Sequence, residues 1–415
     1  MRISVIGAGY VGLVAAACLA KLVHAITLVD IDEAKLKQIA GGISPIHEPG
    51  LDEILSQVSV ETTSDYERIG GSDLILICVG TPCNQDGAMS LEYIEKAARQ
   101  VSRVLRLKAN YCVVAVRSTV VPGTTEELVI PILEQSGKKV GRDFGVCMEP
   151  EFLQEGKAVY NYMNPSRIII GQLDERSGDV LAELYKHVKA PVIRTSIRTA
   201  EMIKLASNAF LGARISLINE IGNMCKALGI DTYEVAKGVG LDDRIGSKFL
   251  NAGIGFGGSC LPKDLKALIA RSRQIGYEPE ILERVLKLND IQALRMIELA
   301  KKHVSLKGAT VGILGLAFKP GTDDVRESRA ISIVEALLKG GANVRAYDPV
   351  AVESFRKLFP QIEYAGPEEV LESDAVLIVT EWEEFEHLDY TGKIVIDGRR
   401  VAKAREARIY EGVCW

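Results

Sequence analysis

Several features are scarce in this chain, and each scarcity removes a class of protein. No uninterrupted run of about eighteen apolar residues occurs, so no membrane-spanning helix is expected. Histidines number only five, and the eight cysteines (Cys18, Cys78, Cys83, Cys112, Cys147, Cys225, Cys260 and Cys414) form no C-x-x-C pair. That spacing argues against structural zinc and against a disulfide framework, and for a reducing, cytoplasmic setting. Basic clustering is also missing: Lys and Arg are dispersed and the net charge is only −5, so a nucleic-acid partner is not expected. The start of the chain, Met1-Arg2 followed by an apolar run and Ala15-Ala16-Ala17, imitates a secretory leader, but its regularly placed glycines and Asp30 fit a βαβ unit better. What the chain has in quantity is apolar content, 47% of 415 residues, enough for two or three domains with real cores.

Arg2 to Ile6 reads as a buried parallel strand. Gly7-Ala8-Gly9-Tyr10-Val11-Gly12 turns it into a helix reaching about Val23, and Ala25 to Val29 gives the next strand, closing on Asp30. Glycines at these positions allow a tight turn, close approach of backbone to a pyrophosphate, and tight helix-to-strand packing, while Asp30 accepts from ribose hydroxyls. Strand, helix and acidic residue sit where the mechanism needs them, which points to a dinucleotide. A carboxylate at Asp30 repels a 2′-phosphate and favours NAD over NADP.

Further strands are expected at Asp73 to Val79, ending in Gly80-Thr81-Pro82, at Tyr111 to Val116, ending in Arg117-Ser118-Thr119, and at Gly145 to Met148. Ligands of open α/β sheets gather beyond the carboxyl ends of strands, so Thr81 and Thr119 are candidates for the nicotinamide site, or ordinary loop hydroxyls and caps. Glu149, Glu151 and Glu155 follow as either a solvated turn or acid/base equipment. A long helix is predicted from Thr199 to Leu228, with Glu201 in its first turn and Gly229 as its stop. Its apolar positions suggest burial on more than one side, as in a domain bridge or dimer core. Lys204 and Asn208, four apart, share a face, the lysine either snorkelling to solvent or serving a site.

Gly253-Ile254-Gly255-Phe256-Gly257-Gly258-Ser259-Cys260-Leu261-Pro262-Lys263-Asp264 holds four glycines in six residues and delivers Cys260 where Pro262 can open a helix. Glycines there allow close approach to a ligand or positive φ, and a thiol at a helix N-terminus tends toward the nucleophilic thiolate. The alternative is a structural cysteine in a glycine turn. Beside a nicotinamide, such a thiol suggests aldehyde oxidation through a thioester. Helices are predicted from Lys263 to Ile275 and Pro279 to His303. Beyond Lys307 the first architecture recurs: strands Thr310 to Leu314, Asn343 to Tyr347, Asp374 to Thr380 and Lys393 to Ile396, with a helix from Ala330 to Lys339. The dinucleotide glycines are replaced by Gly315-Leu316-Ala317-Phe318-Lys319-Pro320, so this half should bind another nucleotide, with Lys319, Arg399 and Arg400 as candidate contacts. The expected architecture is α/β: two Rossmann-like doubly wound parallel-sheet domains (1–195 and 301–415) joined by a central helical segment (196–300) with a long bridging helix.

The chain resembles the UDP-glucose/GDP-mannose dehydrogenase family over essentially its whole length. The match rests on the Gly7–Gly12 turn, Glu48-Pro49-Gly50-Leu51, Ser118-Thr119, Pro150-Glu151-Phe152-Leu153, Lys204-Leu205-Ala206-Ser207-Asn208-Ala209-Phe210, Gly257-Gly258-Ser259-Cys260, Phe318-Lys319 and Thr322-Asp323-Asp324-Val325-Arg326-Glu327-Ser328. The resemblance implies a four-electron oxidation of a sugar C6 alcohol with two NAD in succession and Cys260 as nucleophile. It implies Lys204 and Asn208 as oxyanion stabilisers, Asp264 assisting the water chemistry, and Thr119, Glu151 and Glu155 holding water and the reacting hydroxyl. The implied cofactor set is Gly7, Gly9, Tyr10, Val11, Gly12, Asp30, Lys35, Thr81, Thr119, Glu155 and Arg326. The implied sugar-nucleotide set is Glu151, Phe152, Leu153, Glu155, Lys204, Asn208, Arg244, Lys248, Phe249, Leu250, Gly257, Phe318, Lys319 and Arg399. Asp243 to Leu250 resembles the UDP-glucose branch, in which the arginine reaches a neighbouring subunit's substrate; a homodimer through the long helix is expected. The chain departs from the family pattern at Ser328-Arg329-Ala330, where relatives often carry proline.

Overall fold

A computed structural model describes residues 1–415. The chain divides into two compact units, Met1–Ser207 with Lys266–Gln274, and Asn208–Leu265 with Ile275–Trp415. No helix is long and apolar enough to cross a membrane.

The first unit is built on eight strands: β1 (Arg2–Ile6), β2 (Ala25–Val29), β3 (Val60–Thr63), β4 (Leu74–Ile77), β5 (Val113–Val116), β6 (Gly145–Met148), β7 (Ile168–Gln172) and β8 (Val192–Thr195). They lie in the order β3-β2-β1-β4-β5-β6-β7-β8. All neighbours are parallel except β6 and β7. Continuous apolar runs such as Leu74-Ile75-Leu76-Ile77 are what a sheet covered on both faces requires. Successive side chains duly enter different cores: Val5, Leu74, Leu76 and Val113 join one cluster, and Ile6, Ile75, Ile77 and Val114 the other.

The second unit repeats the plan with β9 (Thr310–Leu314), β10 (Asn343–Tyr347), β11 (Glu363–Tyr364), β12 (Ala375–Ile378), β13 (Ile394–Asp397) and β14 (Ile409–Gly412), ordered β11-β10-β9-β12-β13-β14, all parallel. Its order matches that of the first six strands of the other sheet, and two α/β domains with a long helix are the architecture expected. The long helix spans Ile197–Leu228. The segment predicted as one helix from Pro279 to His303 is two, Glu280–Gln292 and Arg295–Ala300, interrupted at the buried Ala293. The departure at Ser328 disturbs nothing, because Ser328 itself caps helix Arg329–Lys339, its side chain accepting from the Ala330 N–H at 3.2 Å.

Candidate active site

β1 ends in Gly7, whose N–H bonds the Val29 carbonyl at 2.7 Å and whose φ is 101°. A Cβ at Gly12 would lie 1.9 Å from the Gly7 carbonyl oxygen, so only glycine lets helix Tyr10–Lys21 start this close to the strand. A Cβ at Gly9 would meet nothing within 4 Å, leaving the turn open on its outer side. No side chain caps this helix and no acidic residue occupies its first turn, so its N-terminal N–H groups and dipole favour an anion. Asp30 accepts from the Ala8 N–H at 2.6 Å and the Asp32 N–H at 3.0 Å, which leaves carboxylate lone pairs for hydroxyls. Gly7, Gly9, Tyr10, Val11 and Gly12 after β1 and Asp30 after β2 therefore lie at the ends of two adjacent strands and fit a dinucleotide. Lys35 lies half-buried one turn into helix Glu33–Ala40, its N–H capped by Asp32.

At the ends of β4 and β5, the buried Thr81 hydroxyl donates to the Thr119 carbonyl at 2.8 Å. The three carboxylates after β6 have separate environments. Glu149 is buried against the Arg117 guanidinium and the Tyr185 hydroxyl, a structural ion pair. Glu151 is equally buried but accepts from the Lys204 ammonium at 2.8 Å and the Leu153 N–H at 2.6 Å. Burial alone would raise the Glu151 carboxyl; Lys204, the Leu153 N–H and Arg117 instead hold it below the ordinary carboxylate range. Lys204 does not snorkel: it is buried, with its ammonium 5.5 Å from the centre of the Phe152 ring. Arg167 lies 3.8 Å from the same ring centre, a contact that no spacing in the sequence announces. Leu153 and Glu155 are half-buried on the loop. Glu201 is a buried acceptor for the Gly123 N–H at 2.6 Å and the Thr125 N–H at 2.9 Å, tying the long helix to the segment after β5.

In the second unit Cys260 is exposed, unlike every other cysteine of the chain. It precedes helix Leu261–Gln274, its carbonyl accepting from the Asp264 N–H at 2.8 Å, so the thiol sits at the positive end of the helix. Asp264, fully buried, accepts from the Asn208 amide at 2.6 Å and pairs with Lys263 at 2.7 Å. Cys260, Asp264 and Asn208 thus belong to one unit, Glu151 and Lys204 to the other; Lys204 and Asn208 stand one helical turn apart on the long helix. The glycines of the cysteine loop serve the protein's own packing. Cβ atoms at Gly253, Gly257 and Gly258 would fall 2.5 Å from the Gly398 carbonyl, 2.2 Å from the Glu327 carbonyl and 2.7 Å from the Phe318 ring. Gly255 has φ 94° against Asn289. Neighbouring loops approach the backbone closely at Gly253, Gly257 and Gly258.

Those loops carry several candidates. Phe318 and Lys319 are half-buried, and the Arg326 carbonyl accepts from the Gly258 N–H at 3.0 Å. The Arg326 guanidinium pairs with Asp324 at 2.6 Å. Arg399 donates to the Val379 carbonyl at 2.8 Å and lies 3.3 Å from Glu381. Arg400, predicted as a nucleotide contact, instead takes φ 64° and grips Asp231 through two bonds of 2.8 Å, stacked 3.9 Å from the Tyr233 ring centre. Arg244 extends outward, its side chain 89% exposed and paired only within its loop, to Asp242. Lys248 is exposed, Phe249 takes φ 61° and Leu250 is buried. Arg214 holds that loop through the Ile245 and Gly246 carbonyls at 2.7 and 2.8 Å.

The counterpart of Asp30 is Asp348, after β10. It accepts from the N–H groups of Leu316, Ala317, Val350 and Ala351 and from Trp382 Nε1, all at 2.8 to 3.0 Å. With five donors on two buried oxygens, no acceptor remains for a ribose.

Models of the UDP-glucose/GDP-mannose dehydrogenase family match the chain in three parts: the NAD binding domain at residues 1–189, the central domain at 198–291 and the UDP binding domain at 312–404. A UDP-glucose 6-dehydrogenase of Haloferax volcanii is 44% identical, with both chains fully covered. A GDP-mannose 6-dehydrogenase of Pseudomonas putida is 43% identical over 84% of this chain and 81% of its own. The solved UDP-glucose dehydrogenase of the hyperthermophilic archaeon Pyrobaculum islandicum superposes with a TM-score of 0.97 at 43% identity, covering 100% of this chain and 98% of that one. With all three parts matched and a dinucleotide turn whose residues fit NAD, the chain belongs to the UDP-glucose/GDP-mannose dehydrogenase family and is an NAD-dependent dehydrogenase.

Proposed function

We propose that the protein oxidises the C6 alcohol of UDP-glucose to the carboxylate of UDP-glucuronate, with Cys260 carrying the sugar between the two oxidations. The observation that carries this reading is the single exposed thiol, at a helix N-terminus in the same unit as the buried Asp264 and Asn208. The choice of UDP-glucose draws support from relatives of 40 to 44% identity that bear that name.

NAD, when bound, accepts a hydride at each oxidation. Glu151, kept ionised by Lys204, takes the hydroxyl proton through a water held with Thr119 and Glu155. The alcohol carbon, having lost proton and hydride, is an aldehyde; the Cys260 thiolate adds to it, and Lys204 and Asn208 stabilise the oxyanion. Loss of the second hydride leaves a thioester. Water, deprotonated with the help of Asp264 and Lys204, adds to the carbonyl, the C–S bond breaks, and carboxylate and thiolate separate. In this division of labour 1–195 holds NAD through Gly7, Gly9, Tyr10, Val11, Gly12, Asp30, Lys35 and Thr81. Residues 196–300 carry the cysteine loop, and 301–415 hold the nucleotide through Phe318, Lys319 and Arg399. Arg326 serves the cofactor, and Phe152, Leu153, Gly257, Lys248, Phe249 and Leu250 line the sugar nucleotide. Arg244 reaches the substrate of a second copy. The homodimer this requires uses the long helix, where Phe210, Leu217 and Met224, spaced by seven, are 74%, 59% and 54% exposed.

Counting NADH per sugar over a panel of UDP-glucose, GDP-mannose and a UDP-N-acetylhexosamine tests the reading. Two NADH per UDP-glucose, with the highest kcat/KM in the panel, is expected; one per sugar, or a preference for GDP-mannose, overturns it. Cys260→Ala should form no carboxylate while still binding NAD and UDP-glucose within severalfold of the parent protein.

A further inference from the structure

Glu48, in the motif Glu48-Pro49-Gly50-Leu51, has no task in the proposed chemistry. It is 5% exposed, on the loop before helix Leu51–Leu55. Its carboxylate joins three segments of the first unit. The Tyr10 hydroxyl, from within the dinucleotide turn and the first residue of helix Tyr10–Lys21, donates to Oε2. The Gly156 N–H donates to the same oxygen at 2.7 Å and lies 2.9 Å from the Tyr10 oxygen. The Ala158 N–H donates to Oε1 at 2.7 Å. Helix Ala158–Met163 has no side-chain cap from its own N-cap residue, Lys157; Glu48 supplies the acceptor from more than a hundred residues away.

The consequence lies in what these segments carry. Gly156 closes the loop that begins at Glu151, and the front of that loop is pinned by Glu151 itself, which accepts from the Leu153 N–H and from Lys204. Buried charge-assisted bonds of this kind are short and directional, so displacement of Tyr10 is felt at Gly156 and the reverse. A group binding at the Gly7–Gly12 turn therefore acts on the far end of the loop that holds Glu151 and Glu155. We propose that Glu48 is a positioning residue that, through Tyr10, couples the dinucleotide turn to the Glu151–Gly156 loop, so that each ligand tightens the binding of the other. The coupling of two ligands rests on the reading of that loop as the substrate's, whereas the mechanical link between turn and loop does not.

Hydrogen exchange on the full-length protein, with and without saturating NADH, tests the link. In the parent protein NADH should slow exchange of the amides of 152–158 by roughly fivefold or more, in the range of ordinary site-to-site coupling. Tyr10→Phe keeps the Glu48 carboxylate on the Gly156 and Ala158 N–H groups but removes the bridge, and should abolish that protection. Glu48→Gln should do the same. A parent loop indifferent to NADH, or a Tyr10→Phe protein that keeps the protection, overturns the coupling and leaves Glu48 as a helix cap only. In a second arm, UDP-glucuronate should tighten NADH binding to the parent protein at least fivefold and to Tyr10→Phe not at all. Failure of UDP-glucuronate to bind the parent protein counts against the UDP-sugar reading, while the exchange result still decides the coupling.

Discussion

At the residue scale, buried carboxyl groups are shifted in opposite directions according to what surrounds them. Glu151 and Asp397 are both buried carboxyls. Glu151 has an ammonium partner and is held ionised; Asp397 has backbone N–H groups and the Tyr410 hydroxyl, and burial pushes it up to about 6 despite them. Its native pKa thus lies above the ordinary 3.8. The penalty on the ionised form is complete above about 6 and is released as the pH falls from there toward 3.8. Asp397→Asn carries no such penalty at any pH. In urea unfolding the parent protein should therefore gain on Asp397→Asn between pH 7.5 and 5, by roughly 1 kcal/mol; a difference that stays constant would assign Asp397 an ordinary pKa. Much of this scale could not be read in sequence. Cys260, Asp264 and Asn208 were recognisable by motif, but nothing local told Glu149 from Glu151, or marked Arg400 as a clamp on Asp231 instead of a ligand contact. Those outcomes depend on partners between 30 and 170 residues away.

Among elements, the long helix Ile197–Leu228 has the most to explain. Its 32 residues rise about 48 Å, and its apolar positions are too many for one buried face. Three of them, Phe210, Leu217 and Met224, recur every seven residues and remain exposed, the spacing at which helices meet along a seam. A groove of about 510 Å³ opens at the middle one, lined by Leu217, Ile281, Leu288 and Ile291 among others. If the proposed homodimer uses this seam, the parent protein should scatter light as a dimer and Leu217→Asp as a monomer, with the circular dichroism of the chain intact. A variant that stays dimeric would move the interface elsewhere. Strand boundaries were legible where a Gly, Asp or Glu follows the strand directly: β1, β2, β6, β9 and β10 fall where they were predicted. β8 was not, because Val192-Ile193-Arg194-Thr195 is short and half polar and its edge position leaves it exposed. The break at Ala293 carries no proline or glycine, and its residues keep right-handed helical angles, so nothing in composition marks it.

Over the whole molecule, the six-stranded sheet repeats the order of the first six strands of the other but ends its first strand in different residues, and the loss of the glycines there was visible in the sequence. The change at Asp348 was not, since the residue type matches that of Asp30; only its five donors distinguish the two. With the second ribose acceptor occupied from within, the chain has one berth for a dinucleotide. Calorimetric titration with NADH should saturate at one per chain, and a stoichiometry of two would disprove the equivalence drawn between the two strand ends. The proposed oxidation, which consumes two oxidised dinucleotides at that one berth, has to exchange them midway, while the sugar is half-oxidised and at its most reactive. In the proposed reaction the bond to Cys260 is then a tether: its lifetime must exceed the residence time of the first NADH, or free aldehyde escapes into solution.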